Sequence, residues 1–326
     1  MKSEYRSVSF FTAFFLLSGP MLLAGCGDSG HVPVSTRVDK LQFVDPVLRS
    51  CVLETANKRH WQTAGEFSEL RCSNPESAKI KDLSGIENLV NLQSLDLAHN
   101  AITDIALIDR LPRLIRLDLG YNQIKLLPLG SQRVTLQWVN LHHNDIEDIS
   151  TLSVLMNLKH LSISHNRIKT IDGIAQLSEL RSLNISHNDL YTIKPLSLIS
   201  SLLEVDLSSN HIADLSPLQH HSHLTNIGAA DNNITDLGPL QSLPELEELD
   251  LSHNQLTEIA PLGRMISIRK LSLTGNHVSS IKPLETLGEI ELLEIDGNSL
   301  PCKELQKLTR ALGPDVIENS CRSTVK

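Results

Sequence analysis

An asparagine recurs every 22 residues: Asn100, Asn122, Asn144, Asn166, Asn188, Asn210, Asn232, Asn254, Asn276 and Asn298 fall on one grid without insertion or deletion. Apolar residues keep fixed offsets around each. Counting from Asn100, Leu92, Leu95 and Leu97 precede it, and Ile102, Ile105, Ile108, Leu111 and Leu114 follow. The repeat reads L-x-x-L-x-L-x-x-N-x-I-x-x-I-x-x-L-x-x-L-x-x. Its L-x-L centre alternates with period two, as a short strand does when one face is buried and the other meets water. Ten such turns stacked in parallel at ~4.8 Å make a curved sheet roughly 48 Å long. A side-chain amide has two donor hydrogens and two acceptor lone pairs, enough to satisfy backbone groups buried where each strand turns inward. Pro195, Pro217, Pro239, Pro261 and Pro283 share one column on the return path, each before a leucine, which favours an irregular or 3₁₀ back over full helices.

On these residues the chain resembles the leucine-rich repeat proteins, whose repeats have this motif and a period within 20 to 29 residues. It is similar to the 22-residue class found in internalin surface proteins and in the regulatory subunit of eukaryotic protein phosphatase type 1. The resemblance implies an α/β leucine-rich repeat solenoid: a curved parallel β-sheet on the concave side, an irregular or 3₁₀ convex side, and covers at both ends. It also implies a solenoid that binds another protein or peptide through its concave side and performs no chemistry, so no cofactor or metal is expected. No partner-contacting residue carries over from either group. The phosphatase regulator works inside cells without a signal sequence, and internalins have a different front cap and Gram-positive sorting signals.

The amino terminus, MKSEYRSVSFFTAFFLLSGPMLLAGC, has Lys2 and Arg6, then an apolar run interrupted by Ser18, Gly19 and Pro20. That run is short for a membrane span and reads as a signal segment. Its end, Leu23-Ala24-Gly25-Cys26, resembles the lipobox of bacterial lipoproteins. The resemblance implies cleavage before Cys26, diacylglycerol on its thiol and an acyl chain on its amine. Several buried acyl chains at ~0.8 kcal/mol per CH₂ hold a protein at a bilayer. Gly27 follows the cysteine, with Asp28 one place later, which makes outer-membrane sorting in a bacterial envelope the expectation. The chain then divides into a signal (1–25), a tether (26–40), an amino-terminal cap (41–78), the repeats (79–299) and a carboxyl-terminal cap (300–326).

Four of the five cysteines remain, two at each end and none inside the ten repeats. Pairing Cys51 with Cys72 and Cys302 with Cys321 closes loops of about 20 residues, each stabilising by about 3 kcal/mol through restriction of the unfolded chain. A reactive thiol pair at one end is the alternative. The front cap is expected to open with a helix: Asp45 caps it, Pro46 takes the first turn, and Val47, Leu48, Cys51, Val52 and Ala56 form one face. In the rear cap, Pro301 opens a helix carrying Leu305, Leu308 and Leu312, and Gly313-Pro314 stops it.

Candidate functional residues lie on the concave face. In turns two to four the outward positions hold Arg116, Asp118, Tyr121, Trp138, Asn140, His142, His143 and His160. The whole chain has two tryptophans and three tyrosines, so Trp138 beside Tyr121 is a placement of note; tryptophan, tyrosine and arginine dominate interface hot spots. Alternatively, Trp138 covers a packing defect, because the neighbouring convex segment KLLPLGSQRVTL departs from the usual spacing. Further along, Glu204, Asp206, Glu248, Asp250, Glu294 and Asp296 form an acidic run, interrupted by the small residues Asn226, Gly228 and Ala230, with Ala229 in place of a core leucine. Such a run suits a basic segment or divalent cations, although aspartate is also the usual residue in L-D-L. The formal charge of −9 argues against nucleic acid.

The column before the asparagine reads His99, Tyr121, His143, His165, His187, Ser209, Asp231, His253, Gly275 and Gly297. His143, His165 and His187, with His142 reaching over, raise a metal-dependent or enzymatic alternative. A straight row offers about two good ligands where zinc needs three or four. Repeat drift at a polar rim explains the row equally, and the chain lacks GxxxxGK[ST], GxGxxG and CxxC motifs and a spare cysteine.

Overall fold

The computed structural model describes residues 32–73, 78–130, 135–313 and 316–318; the signal segment, residues 26–31 of the tether with Cys26, and Cys321 lie outside these. One parallel sheet runs through the described residues in strict sequence order. Its repeat strands are β2 (Ser94–Asp96), β3 (Arg116–Asp118), β4 (Trp138–Asn140), β5 (His160–Ser162) and β6 (Ser182–Asn184). They continue as β7 (Glu204–Asp206), β8 (Asn226–Gly228), β9 (Glu248–Asp250), β10 (Lys270–Ser272) and β11 (Leu292–Glu294). Each residue pairs with the one 22 places on, as in Arg116 with Trp138 and Trp138 with His160. The middle residue of every strand points into the core: Leu95, Leu117, Val139, Leu161 and Leu183 are all at most 2% exposed.

The sheet has twelve strands where the grid supplies ten, because each cap adds one. Strand β1 (Glu69–Arg71) pairs with β2, and β12 (Ile317–Glu318) pairs with β11. A parallel stack that stopped at its last repeat would leave a ladder of backbone groups unpaired, and these short strands shield it.

The front cap follows the sequence closely. Helix α1 (Pro46–Arg59) is capped by the Asp45 side chain, which accepts from the Val47 and Leu48 amides at 2.8 and 3.1 Å, and Leu48, Val52 and Ala56 are buried. The other Asp45 oxygen accepts from the Lys81 and Asp82 amides, tying the helix to the first repeat. Burial raises the pKa of this carboxyl, but the backbone donors outweigh it and hold the group below the usual carboxylate range. Cys51 and Cys72 form a disulfide across 21 residues. The cap also begins earlier than the sequence suggests. Val38 is buried, Val38–Lys40 form a 3₁₀ turn, and Val38 N donates to Gln62 O, so the end of the segment assigned to the tether is packed. Val32, Val34 and Val38 are scattered through a polar run without a helical or strand period, so sequence alone could not place Val38 in the core. At the other end, α2 (Cys302–Leu312) buries Leu305 and Leu308, Gly313 takes φ 107°, and Cys302 is disulfide-bonded.

The convex side is 3₁₀. Lys194–Leu198, Ser216–Leu218, Gly238–Leu240, Ala260–Arg264 and Lys282–Thr286 each carry the column proline second. Ala106–Arg110 and Ser150–Val154 do the same without proline, so the i,i+3 pattern of apolar residues suffices. The turn after Asn122 differs. Leu127 and Leu129 are buried, Leu126 is 73% exposed, and the chain is pinned by Gly130 N donating to Asp109 Oδ1.

The asparagines account for the remaining buried backbone. Asn188 Oδ1 accepts from Ile168 N of the preceding turn at 3.0 Å. Its Nδ2 donates to Ile163 O of that turn and to Ile185 O and Ser186 O of its own, all at 3.1 Å. All ten asparagines receive the same amide from the turn before. Each therefore closes its own turn and staples it to its neighbour.

Candidate functional site: the amino half of the concave face

Strands β3, β4 and β5 and the turns after them bring all eight candidate residues onto one continuous surface. The alternation that buries Leu117, Val139 and Leu161 turns Arg116, Trp138 and His160 outward. The Arg116 guanidinium lies 3.3 Å from the centre of the Trp138 ring, a cation–π contact. The indole thus lies on the concave face of its strand.

The next column over is hydrogen-bonded. Asn140 Nδ2 donates to Asp118 Oδ1 at 3.0 Å. Asn140 Oδ1 accepts from His142 N and faces His142 Nδ1 at 2.5 Å, which requires the tautomer protonated at Nδ1. The ring lies over Gly120, where a Cβ would collide with it. Burial, then neighbouring histidines, hold the His142 pKa below the ordinary imidazole value even though Asp118 opposes this.

The same column explains much of the acidic run. Asp96, Asp118, Asp206 and Asp250 each accept the backbone amide two residues on. Asn140 and Asn184 do so without a charge. Aspartate in L-D-L is therefore partly a device for holding the turn. Glu204, by contrast, is outward on β7 and among the described residues its carboxylate meets only the Ser182 hydroxyl at 3.3 Å, while Glu248 pairs with Lys270 at 2.7 Å.

The histidine column has a backbone cause that the sequence reading missed. His99, Tyr121, His143, His165, His187, Ser209, Asp231 and His253 have φ between 51 and 59°, and Gly275 and Gly297 have 68 and 67°. Every turn passes through the left-handed region immediately before its asparagine. Histidine, aspartate and glycine are among the residues that tolerate this region. Glycine and aspartate in the same column were the available signal.

The side chains then stack. Ring centroids of His99 and Tyr121 are 4.3 Å apart, Tyr121 and His143 4.2 Å, His143 and His165 3.9 Å, and His165 and His187 3.9 Å, with interplanar angles of 13 to 27°. Face-to-face rings aim their nitrogens along parallel planes and not at one point. Among the described residues no three His, Cys, Asp or Glu side chains are grouped to hold a metal ion. His143 Nδ1 is buried within the stack without a hydrogen bond. Burial first, then neighbouring histidines, lower the pKa of both His143 and His165.

A second histidine escaped the sequence reading. His221 occupies a core leucine position at 2% exposure, with Nδ1 3.2 Å from Leu218 O and Nε2 3.0 Å from Leu196 O. It is a polar cross-tie between two turns.

At the amino end, α1 and β1–β3 enclose a recess of ≈ 550 Å³ lined by Thr55, Lys58, Arg59, Arg71 and Arg116 together with Glu69, Asp96 and Asp118. Arg59 pairs with Glu69, and Arg71 with Asp96 at 2.8 Å.

Family models of leucine-rich repeats match residues 90–131 and 222–264 (two copies), 134–190 and 199–215. No curated protein matches the sequence. Among solved structures, an internalin (inlF) from Listeria monocytogenes is 25% identical at TM-score 0.69, covering 87% of this chain and 93% of that one. Internalin C2 from the same organism is 27% identical at TM-score 0.57, covering 75% and 99%. The functional domain of InlJ from Listeria monocytogenes, which includes a cysteine ladder, is similar in fold: 23% identity, TM-score 0.71, 81% of this chain and 57% of that one. The chain carries leucine-rich repeats in a solenoid like that of the internalins.

Proposed function

We propose that this protein is a non-enzymatic binding scaffold of a bacterial cell envelope, held to the membrane by lipid on Cys26, which recognises a partner protein or peptide through the amino half of its concave face. Solenoids of this kind present an extended curved surface for that purpose. One observation carries the reading: the exposed Arg116 guanidinium stacks on the half-buried Trp138 ring on the concave face. A stacked pair of hot-spot residues, flanked by the hydrogen-bonded Asp118–Asn140–His142 chain, loses little side-chain entropy on binding. The lipid anchor is supported by the Leu23-Ala24-Gly25-Cys26 segment. An enzymatic or metal-dependent rim is disfavoured by the stacking, which turns the histidine nitrogens away from a common point.

Photo-crosslinking in intact cells tests the reading. A crosslinker in place of Trp138 should capture one discrete species, which a convex crosslinker at Ser197 should not. Capture of the same species from both positions, or from Ser197 alone, would defeat it.

A further inference from the structure

The concave face is divided by charge, and the division shows only after its internal pairs are removed. In the amino-end recess Arg59 and Arg71 are paired, which leaves Lys58 and Arg116 against the single remaining carboxylate, Asp118. Lys58 and Arg116 have no carboxylate partner among the described residues, so the spare charge there is positive. In the carboxyl half the balance reverses. Glu204 has only a serine hydroxyl, Glu294 has no ion pair among the described residues, and Lys270 is the one cation on the strand positions of β7–β11.

The floor of the face also changes. Gly228 has no side chain, and a Cβ there would lie 2.8 Å from Asp206 Oδ1. Troughs of ≈ 310 Å³ and ≈ 240 Å³ open on either side of it, walled by Glu204 and Asp206 on one flank and by Asp250, Glu294 and the Glu248–Lys270 pair on the other. A long cationic side chain fits such a space better than a short acidic one.

We infer that the concave face takes an extended segment of a partner protein laid across the strands, with carboxylates over Lys58 and Arg116, an apolar side chain against Trp138, and a lysine or arginine in the trough at Gly228. This rests on the concave-face reading above and adds the partner's chemistry and direction. From β3 to β8 is five strand spacings of ~4.8 Å, about 24 Å, and an extended chain rises ~3.3 Å per residue. The acidic and basic ends should therefore be separated by about seven residues. A partner drawn in by the net charge of −9 alone would be basic throughout.

The test uses the full-length protein in detergent and three synthetic fluorescent peptides of equal length, read by anisotropy. The first has an Asp pair and an Arg pair about seven residues apart, with Phe beside the acidic pair. The second has the same residues with the charges alternated. The third is uniformly basic. The first should bind at least about tenfold more tightly than the second, and Arg116→Ala or Glu204→Gln with Glu248→Gln should each abolish that preference without changing the thermal midpoint. Equal binding of the first two, tightest binding of the basic peptide, or no binding of any overturns the inference. If the Trp138 crosslink still captures a partner in cells, only the polarity falls; if it is lost as well, the concave reading falls with it.

Discussion

At the scale of single residues, the column before each asparagine is decided by backbone conformation and only then by side-chain chemistry. His165 sits at φ 53° with rings 3.9 Å away on both sides. A non-glycine residue in this region costs roughly 1–2 kcal/mol, with a β-branched one worst, while a ring pair contributes roughly 0.5–1.5 kcal/mol. His165→Asn should therefore cost about 1 kcal/mol, and His165→Val about 2–3 kcal/mol, read from urea midpoints. Equal midpoints for the two would mean that the left-handed turn does not constrain the position. The stack also sets a pH dependence. His142, His143 and His165 have pKa values lowered by burial, so the unfolded chain, with imidazoles near 6.5, takes protons that the folded chain refuses. Stability should be fully present above pH 7 and decline as pH falls below about 6.5. The loss of Asp45 and other low-pKa carboxylates begins only lower, below about pH 4. A urea midpoint that does not move between pH 7.5 and 5, in the wild type as in the His143→Asn/His165→Asn double variant, would contradict this. The asparagines were legible because they repeat without error. The left-handed turn was not, because φ leaves no direct mark on a sequence and five histidines invite a chemical reading first.

At the scale of the element, one turn is the unit of stability, and its asparagine joins it to the next. Asn188→Ala would leave Ile168 N, Ile163 O, Ile185 O and Ser186 O without their side-chain partner in a dry interior. A buried group stripped of its hydrogen bond costs roughly 1–3 kcal/mol, so a loss of about 3 kcal/mol is expected. Because neighbouring turns share an interface, hydrogen exchange should quicken most at the Ile163–Asn188 backbone and fade within two or three turns on either side. Uniform acceleration over the whole solenoid would argue for one cooperative block. The convex elements were readable from the proline column, since a fixed φ and a missing amide limit what the back can be. The turn after Asn122 was readable only as an irregularity. Leu127 goes inside at the grid position of Ile105 and Leu126 stays out, but Leu129 is buried one place before the next core position, which Gly130 occupies, and the spacing does not foretell that shift. The caps show the same limit. Asp45 and Pro46 announce a helix, whereas Val38 becomes core through contacts that its neighbours in sequence do not predict.

At the scale of the whole molecule, the architecture separates holding from recognising. Leucine, isoleucine and asparagine occupy the positions that hold the stack together. The outward strand positions are free to vary, and there the residues change from arginine and tryptophan to glutamate along the chain. The face was therefore legible as a face from the repeat alone and its acidic run from the residues, but the balance of charge was not, because Asp96, Asp118, Asp206 and Asp250 also hold backbone amides and pairing between turns shows only in space. A scaffold of this kind acts where it is placed, which makes the proposed anchor the last consequence to test. If Cys26 carries lipid, acyl chains at ~0.8 kcal/mol per buried CH₂ keep the protein on the membrane through a salt or carbonate wash. Cys26→Ser removes the acceptor thiol and leaves the other four cysteines, Cys51 and Cys72 with their disulfide among them, untouched. The variant should remain uncleaved at the signal and fail to incorporate labelled palmitate, while the wild type incorporates it and resists extraction. Label retained by Cys26→Ser, or a wild type released by carbonate alone, would show that the solenoid is held by something other than its first mature residue.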